Sequence, residues 1–583
     1  MTAPTTITFT EDELIGIVSA VDTSRVLIDV NRPALFTRVG IGNLVAIQGT
    51  ISQEYLIGTI ERVTRSTRDE LLSSTESEDE LFVDSKPFDT IRIMLVGTFR
   101  TLDGSKKNVF KRGAHTFPQI DRECHLLQGV NLQVFMNLLS QGIDEGERLQ
   151  LGHFVGDVSA VAIANGDKFF QRHASILGST GSGKSWSVAL ILERASKLQF
   201  ANIIVFDLHG EYSPLCGADG YASRLRIAGP GDLEKTGDDT LFLPYWLLSR
   251  EEMLSLVLDR GDNNAPNQTS RFTHHIKVLK ERTIDTERRK DIKKTFTIDS
   301  PIPYSLGELM NCLTEDNTRK GIGSKGAEVK GEWEDKLTRM LSRIQAKLDD
   351  RRYGFMFTPP VESLKYSWLE EQMLKLLGKG SNGKGIKIID FSEVPADVLP
   401  IVTSLLARLV YNVQLWMQPD KRIPLTILCD EAHLYLPVKD DADAIEKQAL
   451  SVFERIAKEG RKYGVSLLVV SQRPSDVSKT ILSQCNNFLV LRLTNEADQQ
   501  VVKRLVPDSM SGLTDILPLL DTGEALLLGD AVLLPSRIKL DKPSIEPNSA
   551  TRDFWGEWQK ATPDEDAIRN AVETLRRQTR AGK

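Results

Sequence analysis

The sequence predicts an α/β protein: a phosphate-binding core behind a β-rich barrel domain, with a helical subdomain inserted into the core. Three observations carry the prediction. The stretch Gly178-Ser179-Thr180-Gly181-Ser182-Gly183-Lys184-Ser185 fits G-x-x-x-x-G-K-[ST], a loop whose backbone N–H groups curl around nucleotide phosphates. Short runs rich in Val and Ile crowd residues 7–150. Apolar runs that end in a carboxylate, Asn202–Asp207 and Ile423–Asp430, stand on either side of a charge-dense segment.

Bulk properties narrow the class. A chain of 583 residues holds several domains and a large core. Its 40% hydrophobic and 26% charged residues suit a globular protein in water. Five cysteines (124, 216, 312, 429 and 485) have no metal-like spacing, which points to reduced thiols in the cytoplasm. No apolar run is long enough for a membrane helix, and the N-terminus lacks a signal-peptide pattern. A net charge of −7 argues against a generally basic nucleic-acid binder and leaves room for a local basic channel.

Residues 1–150 are expected to form a small barrel or sandwich from Leu14–Val21, Val26–Val30, Leu44–Thr50, Leu56–Val63 and Ile91–Thr98. The acidic, Ser-rich stretch Ser66–Asp89 between them is expected to be a solvated loop.

The core is expected over 151–545. Ala174–Leu177 is the strand that enters the phosphate loop, and Ser185–Leu198 the helix that leaves it. Lys184 would face the β/γ-phosphates, and the Ser185 hydroxyl would take a Mg²⁺ position. Asp207 ends a buried strand, where it can either meet the nucleotide or cap the next turn. Residues 245–380 read as a helical insertion, with helical stretches Ile276–Lys294 and Glu332–Arg352. Arg339, Arg343, Lys347, Arg351 and Arg352 recur there at helical spacing. They are either a face for a nucleic-acid backbone or, more commonly, a solvated face laced with acids. Lys379-Gly-Ser-Asn-Gly-Lys384 is a basic, Gly-rich loop, which suits a DNA-tracking pore loop or a plain turn, with Lys379 and Lys384 as the DNA contacts.

The sheet pattern returns at Gly385–Asp390, followed by helix Leu399–Trp416. Strand Ile423–Asp430 delivers Asp430 to the Mg²⁺ shell and Glu431 to the attacking water. Helix Ala444–Tyr463 and strand Val465–Val470 lead to Gln472, which can reach a γ-phosphate and sense its loss. Strand Asn487–Leu493, helix Glu496–Leu505 and a hairpin of Glu524–Leu528 with Ala531–Leu534 complete the core. Residues 546–583 form a charged helical tail whose Trp555 and Trp558 suit docking on another subunit or packing on the same one.

Arg172-His173-Ala-Ser-Ile-Leu-Gly178, Asp207-Leu-His-Gly-Glu-Tyr212, Ile389-Asp390-Phe391, Asp430-Glu431-Ala432-His433, Glu459-Gly-Arg-Lys-Tyr-Gly464 and Ser471-Gln472-Arg473-Pro474 together resemble the HerA branch of the HerA/FtsK superfamily. The likeness is specific at these motifs and weak over 245–380. It implies a RecA-like P-loop ATPase core using ATP and Mg²⁺, a HAS-barrel-like N-terminal domain, and a homohexamer threaded by double-stranded DNA. It also implies that Arg172 and Arg461 contact phosphates, one or both across a subunit interface. HerA-like proteins work beside partner effectors, a nuclease or a sirtuin-like NAD hydrolase, some in anti-phage defence. Asp430–His433 also spells the name of a helicase class with two motor domains, but this chain has one phosphate loop and no second motor.

Three functions therefore compete: an ATP-driven translocase or helicase on duplex DNA, an ATP-dependent platform that activates a partner effector, and a nucleotide-dependent scaffold that does not move DNA.

Overall fold

The computed structural model describes residues 7–578 except 23–24, 31–38, 52–53, 67–87, 103–106, 114–115, 142, 156, 235–236, 323–327, 380–382, 441, 443, 507–510, 550–552 and 561. The solvated loop expected at Ser66–Asp89 thus falls almost wholly outside the described residues. Internal contacts divide the chain into two compact units. The first is Met1–Ala195 with Leu468–Ser475 and Leu482–Ser544; the second is Ser196–Leu467 with Asp476–Ile481 and Ile545–Lys583.

In the first unit, six antiparallel strands close into a barrel: Arg25–Val30, Leu14–Asp22, Glu123–Leu126, Leu44–Gln48, Glu54–Ser66 and Phe88–Leu102. Pairing of Arg25–Val30 with Phe88–Leu102 completes the ring and removes its free edges. Lys107–Arg112 adds a hairpin to Phe88–Leu102. Period-two alternation explains why the strands read as almost continuously apolar. Val45 and Ile47 join Val18, Val26 and Ile93 in one cluster. Leu44 and Ala46 point the other way, into a cluster with Phe99 and Phe135. Phe135 belongs to helix Gly129–Gln141, which covers the barrel and was not anticipated.

The same unit holds a run in the order Val465–Ser471 (from Leu468 on), Ala174–Leu177, Asn487–Val490, Glu524–Gly529, Ser536–Leu540, Arg148–Phe154 and Asp157–Asn165. The first three strands are parallel and the remaining pairs antiparallel. The expected hairpin partner is corrected: Glu524–Gly529 pairs with Ser536–Leu540, not with Ala531–Leu534. The backbone of Ala531 is claimed elsewhere, its N–H by Asn487 Oδ1 at 2.8 Å and its carbonyl by Asn165 N at 2.8 Å. Pro535 then removes a ladder donor, and the buried Ala531, Val532 and Leu534 act as a plug.

The second unit is built on a parallel run in the order Thr240–Leu241, Ala222–Ile227, Ile386–Asp390, Ile203–Asp207 and Leu425–Cys429. Ile203–Asp207 lies between two neighbours and is buried along its whole length. Helix Leu399–Trp416 has the bounds its pattern predicts. The inserted helices include Ala265–Thr286, Leu306–Thr318, Thr338–Asp349 and Trp368–Leu377. Two of them differ from expectation: Ala265–Thr286 starts earlier than the sequence suggests, and Thr338–Asp349 starts later.

The recurrent cations of the insertion are ion-paired. Arg339 meets Asp262 at 3.8 Å, Arg343 meets Asp259 at 3.3 Å, and Lys347 meets Asp397 at 3.6 Å. Arg351 meets Glu234 at 2.8 Å and Arg352 meets Asp350 at 2.6 Å. Of the two readings, this is the acid-laced face. Among the described residues, no helix is long and apolar enough to cross a membrane.

Candidate active site

The phosphate loop lies in the first unit. Gly181 and Gly183 take φ of +73° and +105°, which side chains other than hydrogen rarely tolerate. A Cβ on Gly178 would sit 2.6 Å from Ser182 Oγ and 2.9 Å from Leu491 Cβ, so the loop cannot close around a larger residue there. Helix Lys184–Ser196 follows directly and turns its positive end towards the loop. Lys184 is buried, with Nζ 3.3 Å from the carbonyl of Ser179. Its ammonium is thereby held across the loop, where phosphate oxygens would sit.

Three neighbouring segments fasten the loop. Ser179 N–H donates to the Arg492 carbonyl at 2.8 Å, and Thr494 N–H donates to Ser179 Oγ at 3.2 Å. Gly523 N–H donates to the Ser182 carbonyl at 3.0 Å. Gln472, just beyond strand Val465–Ser471, accepts from Thr180 Oγ1 at 2.6 Å. Thr494 and Gly523 carry no sequence signal for this role, because a tertiary bond to a loop over 300 residues away leaves no local pattern.

The acidic group lies in the second unit. Asp430 follows strand Leu425–Cys429 and is almost wholly buried. Burial raises its proton affinity well above that of an ordinary carboxylate, and the charges of Glu431, Glu211 and Asp207 raise it further. Tyr435 Oη donates to the Asp430 carbonyl at 3.1 Å and fixes the turn that follows the strand. Glu431 adopts a left-handed backbone, φ 43° and ψ 46°, a strained state for a residue with a side chain. His433 Nδ1 lies 3.4 Å from Glu431 Oε2.

Asp207 is 1% exposed. Its two oxygens accept the N–H groups of Glu211 and Tyr212 at 3.0 Å each. That is the turn-capping geometry, the second of the two roles the sequence allowed. Burial pushes its carboxyl up to about 6, against the pull of those amides. Ile386–Asp390 ends in Asp390, where Ser392 and Arg224 outweigh burial and hold the carboxyl below its usual range.

The expected arginines differ in state. Arg172 is ion-paired with Asp530 in its own chain. Arg461, in the turn Gly460–Tyr463, is exposed and makes no ion pair among the described residues. Lys379 is exposed. Lys384 departs from the expected DNA contact: it is half-buried and its Nζ donates to the Gly220 carbonyl at 2.5 Å. Residues 380–382 of that loop lie outside the described residues.

Residues 149–410 match the model of the family described as "Helicase HerA, central domain". The chain is 28% identical over 398 residues to the DNA double-strand break repair helicase HerA of Sulfolobus acidocaldarius, covering 68% of this chain and 70% of that one. The chain is thus similar to HerA helicases across its central part. A second HerA, from Saccharolobus solfataricus, is 25% identical over 429 residues, covering 72% of this chain and 73% of that one. Among solved structures, VirB4 of Thermoanaerobacter pseudethanolicus matches with a TM-score of 0.42 and 17% identity, covering 68% of this chain and 97% of that one. The HerA match begins at strand Arg148–Phe154 and ends inside helix Leu399–Trp416. It therefore spans the phosphate loop and Asp207, while Asp430, Glu431, Arg461 and Gln472 lie beyond it.

Proposed function

We propose that this chain is a HerA-like ATPase and the subunit of a homohexameric ring that uses ATP to translocate on, or unwind, double-stranded DNA, together with a partner effector. The observation that carries the reading is an Asp-Glu pair ending a buried parallel strand, in a chain that also bears a fully formed phosphate loop.

Each residue has a chemical task. Lys184 and the N–H groups of residues 179–185 bind and orient the triphosphate. The Ser185 hydroxyl and the Asp430 carboxylate are hard oxygen donors, which suit Mg²⁺. Asp430 fits that ion for a further reason: it is a buried carboxyl surrounded by other acids, and a divalent cation would stabilise its charged form. Bound Mg²⁺ would neutralise charge developing on the phosphates. Glu431 takes a proton from the attacking water. Gln472 orients that water or the γ-phosphate through the amide end that Thr180 leaves free. Arg461, exposed and without an ion pair among the described residues, suits donation to a neighbouring subunit's nucleotide, which is the support for a ring.

A second reading is an ATP-dependent platform for an effector. It is favoured by the tail, where Phe554, Trp555 and Trp558 are 62%, 73% and 71% exposed, an apolar surface suited to a protein partner.

The test is steady-state ATP hydrolysis with and without duplex DNA, on wild type and Lys184→Ala. Wild type is expected to turn over faster with DNA, and Lys184→Ala to be inactive while folded. Normal turnover by folded Lys184→Ala would remove the ATPase site from this loop. Turnover indifferent to DNA would favour the platform.

A further inference from the structure

We propose that His433 is a positioning residue for the water-activating carboxylate, holding Glu431 Oε2 in place through its Nδ1. The inference rests on the reading of Glu431 as the base.

The turn after strand Leu425–Cys429 is rigid in its main chain. Leu434 N–H donates to the Glu431 carbonyl at 3.0 Å, and Leu436 N–H donates to the Ala432 carbonyl at 2.7 Å. Tyr435 Oη secures the Asp430 carbonyl from the same turn. The soft part is the Glu431 side chain. Its Oε2 is shielded from solvent and accepts no hydrogen bond, an arrangement that costs free energy unless a donor or a positive charge stands nearby. His433 supplies that neighbour. Its Nδ1 is 3.4 Å from Oε2, and the two side chains are only 12% and 13% exposed. With its hydrogen on Nδ1, His433 would donate to Oε2 on a small shift of the side chain and leave Oε1 as the oxygen that can take a proton from water. A base that must act from a strained left-handed residue gains from such a restraint, because a small misplacement of a reacting group costs much rate.

The test uses the full-length chain and four variants: His433→Ala, His433→Asn, His433→Gln and Glu431→Gln, with the double variant Glu431→Gln/His433→Ala. The readouts are kcat, KM for ATP, direct affinity for a fluorescent ATP analogue, and the thermal midpoint. His433→Ala is expected to lower kcat by about 10-fold, the scale of lost orienting partners, with KM, affinity and thermal midpoint unchanged. His433→Asn should restore most of the rate, because its amide nitrogen falls near the place of Nδ1. His433→Gln should not, because its amide reaches instead towards the place of Nε2. In the Glu431→Gln background, His433→Ala should cost nothing further.

Wild-type kcat in His433→Ala, or an Asn variant no better than Gln, overturns the proposal. So does a full additional loss in the double variant. Should His433→Ala lose its fold, the comparison of Asn with Gln still decides. Wild-type turnover by Glu431→Gln would instead sink the assignment of the base, and this inference with it. An inactive Glu431→Gln beside a fully active His433→Ala would sink this inference alone.

Discussion

Thr180 Oγ1 donates to Gln472 Oε1 at 2.6 Å, so a side-chain bond joins the phosphate loop to the tip of strand Val465–Ser471. The bond fixes which end of the Gln472 amide faces the loop residue, and it leaves the NH₂ group to donate to phosphate or water. Thr180→Val keeps the shape and removes the donor. A neutral hydrogen bond contributes about 1 kcal/mol, so kcat should fall a few-fold with little change in nucleotide affinity. Gln472→Ala should cost more, and Thr180→Val should add nothing to it. Steady-state kinetics on the three variants checks this. Independent, additive losses would mean that the contact does not serve catalysis.

Arg461 and Arg172 diverge in a way that assigns them different tests. Arg172 is paired with Asp530, whose carboxyl is held low, against burial, by Asn486 and Arg172. Arg461 is exposed and makes no ion pair among the described residues, in a turn closed by Gly464 with φ +72°. Mixed rings of Lys184→Ala and Arg461→Ala subunits should therefore recover activity, since some interfaces pair an intact loop with an intact arginine. An arginine acting across an interface is worth about 10³-fold or more in rate. Mixed rings shown to form but inactive would place Arg461 in its own subunit's chemistry, or outside it.

Much of this site was legible because its parts obey local rules. The phosphate loop needs Gly at 181 and 183 for positive φ, and the sequence prints that need directly. Strands such as Ile203–Asp207 are buried on both faces and so read as unbroken apolar runs. Glu123–Leu126 went unseen because four residues beginning Glu-Cys-His carry no period, although that strand helps close the barrel. Ala531–Leu534 looked like a strand because it is apolar, yet its burial comes from plugging a core while Asn487 and Asn165 take the Ala531 backbone. The ion pairing of Arg339, Arg343 and Lys347 depends on acids far away in sequence, at 262, 259 and 397, which no pattern within the helix reveals.

Lys280 gives a pH-dependent expectation. It is 2% exposed in helix Ala265–Thr286, and its Nζ donates to the carbonyls of Ile298 and Ser300 at 2.7 Å each. Burial pushes its pKa down from 10.5 to about 8. Between those values the unfolded lysine holds a proton that the folded one has lost, so its contribution to stability rises with pH across the window. It is fully present above the unfolded value and lost as pH falls through about 8. Thermal midpoints of wild type and Lys280→Met at pH 7.5 and 9.5 should show the difference moving in favour of wild type, by up to about 1.4 kcal/mol per pH unit. A difference that stays flat would mean that the two carbonyls keep the ammonium charged.

An acidic chain that engages DNA must place its positive charge locally, and the free cations are the place to look. The helix Thr338–Asp349 is poorly suited, because Arg339, Arg343 and Lys347 already face Asp262, Asp259 and Asp397. Lys384 is committed to the Gly220 carbonyl, so replacing it would disturb the turn as well as any contact. Lys379 is exposed. If it meets a phosphate, Lys379→Ala should weaken binding to all duplex sequences alike and lower the slope of log affinity against log salt by about 1. Arg339→Ala with Arg343→Ala should leave that slope unchanged, since those guanidinium groups would first have to break existing ion pairs. Binding titrations at several salt concentrations decide the matter. A slope that falls for the arginine pair and holds for Lys379→Ala would move the DNA path onto the inserted helices.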